Sequence, residues 1–227
     1  MENFEPKRLE NGKWNFVNKN GERLNNTDYD WCWDFKNGFA IVLIGTKYHF
    51  ILTNGKRLNA VDYDCCYNFS EGFAIGKIGK KEHFIKKNGK RLNQLDYDFC
   101  YNFENGIAKV EIGEKSHFIK KNGKRLNAVD YDWCWDFAEG FAKVEIDHKV
   151  HFIKKNGKRL NDIDYDSCED FKNGFARVQI DHKVHFIKKN GKRLNDIDYD
   201  SCEDFKNGFA EVRIGKKRHF IKKNAVR

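Results

Sequence analysis

Histidine and cysteine are the side chains here that could hold a metal or act as a nucleophile, and both recur at a fixed interval. His49, His83, His117, His151, His185 and His219 stand 34 residues apart. Cys32, Cys66, Cys100, Cys134, Cys168 and Cys202 keep the same interval, with Cys65 as the extra. Zinc sites draw close-set pairs such as C-x2-C or H-x3-H from one turn, and nothing in the chain has that spacing. A catalytic site needs different residues converging at one place, whereas a repeat puts the same residues everywhere. No Ser/His/Asp set, phosphate loop or unequal carboxylate pair stands out. The expectation is therefore no metal, no cofactor and no enzymatic activity, with the imidazoles neutral and one ring nitrogen satisfied. An odd count at one cysteine per repeat is not a disulfide framework; it reads as a ladder of small buried hydrophobes.

Charged clusters also recur. Asp162, Asp164, Asp166, Glu169 and Asp170 form an acidic connector. It lacks the glycine and terminal glutamate of a calcium loop, and its Asp residues are expected to make Asx-type turns. Lys86, Lys87, Lys90 and Arg91 flank one turn, and Lys154, Lys155, Lys158 and Arg159 another. Stacked repeats would align such tips into a stripe able to track a phosphate backbone, or one that merely blocks edge-to-edge strand pairing.

The copies differ most beside the in-register cysteine. Its neighbours are Trp31 and Trp33, Cys65 and Tyr67, Phe99 and Tyr101, then Trp133 and Trp135. In the last two copies they are Ser167 and Glu169, then Ser201 and Glu203. If cysteine points inward, strand alternation turns its neighbours outward. Positions that accept both Trp and Glu do not belong to a uniform core. Exposed aromatics have the composition of a binding hot spot, so Trp31, Trp33, Tyr67, Phe99, Tyr101, Trp133 and Trp135 are the expected partner-binding residues. The competing account packs them on the neighbouring repeat. Residues 147–180 and 181–214 differ only at Arg177/Glu211 and Gln179/Arg213, so recent duplication alone could have spread Ser and Glu.

The elements that must position these residues are strands. The chain is 34% charged and 15% aromatic over 227 residues, with one proline, Pro6. Phe and Tyr favour strands, and the near-absence of proline leaves ladders uninterrupted. Ala142, Val144 and Ile146 alternate with Lys143 and Glu145, and a short turn at Asp147 to Lys149 returns the chain against Val150 to Lys155. Other copies carry Gly45, Gly79, Gly113 or Gly215 there, which permits a Gly-X turn. Asn156-Gly157 predicts a two-residue type I′ hairpin that sets Lys155 against Lys158, Lys154 against Arg159 and Ile153 against Leu160. Each repeat is then a meander of about three strands, with the connector adding a short fourth. Asn224-Ala225 replaces Asn-Gly, so no last hairpin turn is expected.

The residues Lys13-Trp14-Asn15-Phe16-Val17-Asn18-Lys19-Asn20-Gly21 resemble the opening of a WG repeat, a bacterial β-repeat reading KWGFIDKxGK and then YDxxxxFxxGxAxV. The second half is matched in every unit, for example Tyr131-Asp132 through Phe137, Gly140, Ala142 and Val144. The defining Trp-Gly pair departs from the pattern, becoming Trp14-Asn15, Tyr48-His49, Glu82-His83, Ser116-His117, Val150-His151, Val184-His185 and Arg218-His219. The resemblance implies an all-β repeat domain, usually an interaction module in larger bacterial proteins.

The expected fold is all-β: tandem 34-residue β-meander repeats in an open, twisted stack, the alternative being a closed β-propeller. A single repeat domain is expected over 1–227, with a divergent N-terminal copy at about 1–30 that serves as a cap, repeats at about 31–214 and a half repeat at 215–227. The start lacks the apolar core of a signal peptide and no apolar run reaches membrane-span length, so a cytoplasmic protein with no membrane partner is expected. The function expected is a binding or scaffold module for a protein, including an inhibitor or effector that masks a partner surface. The alternative is nucleic-acid binding through the Lys/Arg stripe, alone or in a ribonucleoprotein; the net charge of +9 favours acidic partners and names none.

Overall fold

The computed structural model describes residues 3–223, and every regular element among them is a strand. Contacts cluster into two units. Among the described residues the first comprises 3–113 and 119–124, the second 114–118 and 125–223.

In the first unit Glu5–Arg8 pairs with Trp14–Val17. Two three-stranded antiparallel sheets follow: Trp31–Cys32 with Phe39–Ile44 and Lys47–Leu52, then Cys65–Ser70 with Phe73–Ile78 and Lys81–Lys86. Phe99–Cys100 and Ile107–Ile112 begin the next. The strand Lys115–Lys120 has residues in both units. The second unit holds three sheets, each with the strand that begins Phe-Ala in the middle. They run Trp133–Cys134 with Phe141–Ile146 and Lys149–Lys154, Ser167–Cys168 with Phe175–Ile180 and Lys183–Lys188, and Ser201–Cys202 with Phe209–Ile214 and Lys217–Lys222. Tandem β-meanders thus form the fold. The short connector strand opens each sheet, so it takes the place of a separate fourth strand.

The alternating apolar residues set the expected register. Val144 lies opposite His151 and Ile146 opposite Lys149 across a two-residue turn. Where that turn is Gly-X, only the glycine is left-handed, as at Gly45 and Gly79 (φ 62° each), which is the II′ form. In the second unit Asp147 (φ 49°) and His148 (φ 62°) are both left-handed, which makes that turn type I′. Every such turn is held by a connector carboxylate: Asp30 Oδ2 accepts the Gly45 amide at 2.6 Å, and Asp132 Oδ2 the Asp147 amide at 2.7 Å.

The Asn-Gly hairpin corrects the expectation by one residue. Lys154 pairs with Lys158 rather than Arg159: the Lys154 amide donates to the Lys158 carbonyl at 2.9 Å, and the Gly157 amide to the Lys154 carbonyl at 2.8 Å. The loop is therefore Lys155-Asn156-Gly157, a type I turn closed by a left-handed glycine (φ 81°). Asn156 stays right-handed because its Oδ1 accepts the Lys158 amide at 3.0 Å, an Asx turn that the I′ form would lose. The slip sets Phe152 against Leu160 in the core and Ile153 against Arg159. The strand expected after the turn shrinks to one bridge per copy. Asn224-Ala225 lies outside the described residues.

Within each unit consecutive sheets are locked by phenylalanines. Phe69 stacks on Phe39 at 4.0 Å and meets Phe50 edge-on at 5.4 Å. Phe205 likewise touches both Phe175 (4.7 Å) and Phe186 (4.8 Å) in the second unit, with both ring pairs tilted. One connector Phe thus fills a socket made by two Phe residues of the preceding sheet. Single sheets are too thin to bury these rings, so the interface between repeats is the core.

Candidate functional site

The connector strand holds its cysteine against the long strand's valine, Cys32 opposite Val42 and Cys134 opposite Val144, and those sulfurs are buried. Alternation turns the flanking side chains the other way. In the first unit Trp31 is 44% exposed, Trp33 41%, Tyr67 47%, Phe99 54% and Tyr101 39%; in the second, Trp133 is 41% exposed. Trp135 differs. It is half-buried, with Lys143 Nζ lying 5.2 Å from its ring centroid.

Two residues absent from the sequence-based set join this surface. Trp14 meets Trp31 at 4.6 Å between ring centroids, and Tyr48 meets Trp33 at 5.8 Å, while Trp31 and Trp33 are 6.3 Å apart. Four rings thus form one patch in the first unit. The signal for Trp14 and Tyr48 was the variability of the position before Asn15 and before each histidine that follows it in register, which only cross-strand pairing links to the cysteine neighbours. Further along, Tyr101 carries Lys109 Nζ 3.9 Å from its ring and donates from its hydroxyl to Glu111 Oε1 at 2.9 Å. The Cys65 thiol, then burial and Glu82, push the Tyr67 phenol up. Glu82 is buried and accepts the Cys100 amide at 2.8 Å.

In the last two repeats the same positions line a cleft of about 320 Å³ whose walls also include Val178 and Val184. Ser167, Glu169, Ser201 and Glu203 stand around Arg177 and Gln179, whose Oε1 accepts the Ser167 hydroxyl at 3.0 Å. Arg177 is committed to the scaffold: its Nη1 donates to the Cys202 carbonyl at 2.5 Å, and its Nε lies 3.2 Å from Asp204.

The basic tips are partly committed as well. Arg91 bonds Asp96 at 2.5 Å and Arg159 bonds Asp164 at 2.7 Å. Lys86 and Lys154 are half-buried ladder residues, and Lys87, Lys90, Lys155 and Lys158 point to solvent. The acidic connectors are therefore ion-pair partners more than Asx turns. Asp164 takes Arg159, Asp166 takes Lys149 at 2.5 Å together with the Asp181 amide, and Asp170 takes Lys143 at 3.1 Å. An aliphatic residue beside each Arg is also exposed, from Val61 at 37% to Leu95 at 49%. Its signal was an unbroken aliphatic choice just before DYD in the copies after the first, at Val61, Leu95, Val129, Ile163 and Ile197.

The profile of the WG containing repeat matches residues 14–48, 84–115, 118–149, 152–183 and 186–217, which is more than half of the chain. The chain belongs to the WG containing repeat family. A search of curated proteins found no match. Among solved structures, the Hsv2 of Kluyveromyces lactis with its loop 6CD replaced by a Gly-Ser linker is 11% identical, at a TM-score of 0.38 over 82% of this chain and 74% of that one. A eukaryotic initiation factor is 13% identical, at a TM-score of 0.40 over 100% of this chain and 72% of its own. The AfRom2 CNH domain is 6% identical, at a TM-score of 0.34 over 93% of each chain. With likeness this distant, what this WG-repeat chain does is read from its own residues.

Its departure from Trp-Gly has a structural role. The histidine that replaces the glycine is buried in five copies, from His49 to His185. Arg57 Nη2 donates to His49 Nδ1 at 2.7 Å, and Arg193 Nη2 to His185 Nδ1 at 2.7 Å, so Nδ1 carries the lone pair and the ring is neutral. Burial, then the adjacent guanidinium, lowers the pKa of His83 and of His151 to about 4. His219, in the last copy, is exposed. Burial also pushes the Cys32 and Cys202 thiols up to about 12, and Cys66, Cys100 and Cys168 up as well. Among the described residues no group of three or more His, Cys, Asp or Glu is placed to hold a metal. No helix among them is long and apolar enough to cross a membrane.

Proposed function

We propose that this WG-repeat chain is a non-enzymatic binding module that takes a protein partner on the aromatic positions flanking its in-register cysteines. The observation that carries this is the contrast between framework and row. Tyr63, Phe84 and Ile85 are at most 2% exposed, yet Trp31, Trp33, Tyr67 and Phe99 all exceed 40% in the same unit. Large rings this exposed, at register positions where Ser and Glu are also accepted, lie outside the framework core, and the rings that Trp31 and Trp33 touch are one another and Trp14 and Tyr48, at positions that vary as well. They have the area and rigidity of interface anchors. A partner surface masked by such a row would be inhibited sterically, without chemistry. Buried, protonated thiols suit a reducing compartment, and the cytoplasm is the proposed location.

The Lys/Arg tips are the second reading, favoured only by the solvent-facing Lys87, Lys90, Lys155 and Lys158. Their arginines are already neutralised by Asp96 and Asp164, which leaves less charge for phosphates than the sequence suggests. Affinity capture with and without nuclease, followed by titration of the purified captured partner, separates the two. Capture lost on nuclease treatment favours the tips, and capture that persists favours the aromatic row.

A further inference from the structure

In two repeats the ring that follows the in-register cysteine already carries an ammonium group. The amides of Tyr101 and Trp135 donate to the carbonyls of Lys109 and Lys143, each at 3.0 Å. Those lysines reach the rings: Lys109 Nζ lies 3.9 Å from the Tyr101 centroid and Lys143 Nζ 5.2 Å from that of Trp135. Both distances fall inside the ~6 Å over which a ring face attracts a cation. In each case ring and lysine belong to one repeat, so the pairing needs no neighbouring sheet. The first two repeats lack that cation. Trp33 donates its amide to the Ile41 carbonyl at 3.0 Å, and Tyr67 pairs with Ile75, so a buried isoleucine holds the lysine's register position.

We propose that the patch of Trp14, Trp31, Trp33 and Tyr48 is a cation site that takes the ammonium head of a lysine, free or methylated, on the protein partner. The inference rests on the aromatic row as the partner's docking surface and adds what the partner presents there. The lysines that precede Trp14 and Tyr48 in the chain are committed elsewhere, Lys13 to Asp30 and Lys47 to Asp64 at 2.5 Å. Among the described residues no ammonium or guanidinium group stands over any of these rings. Trp14 is inclined at 50° to Trp31, and Trp31 at 63° to Trp33, so the indoles form angled walls in place of a flat stack. Trp offers the strongest π face to a cation, and Trp31 and Trp33 remain more than 40% exposed to receive one. Apolar anchors alone would accept any apolar side chain, whereas ring faces without a cation of their own select a charged one.

The probes are Nα-acetyl-lysine amide, its Nε-trimethyl form and, as the neutral control, the analogue with a tert-butyl head. The five tryptophans of the isotope-labelled full chain each give an indole N–H signal in the NMR spectrum. At least one ammonium probe should shift the Trp31 and Trp33 signals saturably, and more than that of Trp135, whose ring Lys143 already serves. The neutral analogue should bind about fivefold more weakly or worse. Trp31→Leu with Trp33→Leu keeps apolar area and removes the rings; read at Trp14, it should lose most of that preference. Indoles that ignore both ammonium probes overturn the proposal. So do a neutral analogue that binds as tightly, equal shifts at Trp31 and Trp135, or a preference undiminished in the Leu pair. Capture of the partner by a Trp31→Ser, Trp33→Glu chain separates this inference from the reading beneath it. Capture lost while wild-type indoles ignore ammonium overturns the cation site and keeps the row. Capture retained while wild type binds ammonium overturns the row, and the partner lysine with it.

Discussion

The side-chain amide of Asn59 donates to the carbonyl of Gly89, thirty residues on and in the next repeat, at 3.0 Å. The same amide reaches the Tyr63 hydroxyl at 2.8 Å, so one side chain ties its own buried tyrosine to the following hairpin tip. Asn25 with Gly55 repeats this in the first unit, and Asn127 with Gly157 in the second. The conspicuous KNGKRLN block is thus a latch between repeats, with its lysines as the part left over.

Gly89 should tolerate no side chain. Its φ is +80°, and an added Cβ would stand 2.6 Å from the Leu58 carbonyl oxygen. Gly89→Ala is expected to cost about 2–3 kcal/mol and Asn59→Ala about 1 kcal/mol, read as shifts in urea midpoint. Equal stability of Gly89→Ala and wild type would mean that the tip does not pack on the preceding corner.

Alternation made the pairing of Val144 with His151 legible, because a slip by one would turn Ile153 and Val144 out to solvent. The Asn156-Gly157 loop was not legible to the residue, since Asn-Gly suits both a two-residue and a three-residue hairpin, and the Asx bond to Lys158 decides between them. The Phe39, Phe50 and Phe69 socket and the Asn59 latch were hidden for another reason. Their partners lie 19 to 30 residues apart, which periodicity within one repeat does not report. The outward turn of Trp31 and Trp33 followed from the buried cysteine alone, whereas the Lys143 ammonium over Trp135 required the neighbouring strand.

Acid should destabilise the fold early. His83 and His151 have folded pKa values of about 4 against an ordinary 6.5, so the unfolded chain binds protons that the folded chain refuses. Their neutral form supports the fold fully above pH ~6.5, and that support is lost as pH falls toward 4. Each is worth roughly 3 kcal/mol at most. Urea midpoints should fall steadily from pH 7 to 4.5, and His151→Gln should flatten part of the slope. A midpoint constant over that interval would show that the imidazoles titrate normally.

Thiol labelling should be slow. Cys32 and Cys202 are pushed up to about 12 by burial, so almost no thiolate exists at neutral pH. With an aromatic disulfide reagent, Cys32, Cys66 and Cys202 should react only after denaturation, and without reductant. Fast native labelling of these three would contradict their burial.

The type I′ turn of the second unit offers a stabilising change. His148, with φ 62°, is fully exposed and holds a left-handed conformation that costs an L-residue more than it costs glycine. His148→Gly should raise stability by about 0.5–1 kcal/mol, after the extra chain entropy of glycine is subtracted. Thermal melts of the single variant suffice, and a lower melting temperature would contradict the turn assignment.

The central claim is that the exposed aromatics, and no chemistry or phosphate contact, bind the partner. Replacing Trp31 and Trp133 with Ser, and Trp33 and Trp135 with Glu, installs residues that the last two repeats already carry at those positions. The variant should fold with an unchanged β spectrum, and its affinity for the captured partner should fall by at least about 30-fold, the loss of roughly 2 kcal/mol expected for a truncated interface Trp. A parallel variant with Lys86, Lys87, Lys154 and Lys155 changed to Gln should bind nearly as well as wild type. A folded Trp variant with unchanged affinity, beside a Lys variant that binds weakly and with a flatter salt dependence, would contradict the account and assign recognition to the basic tips.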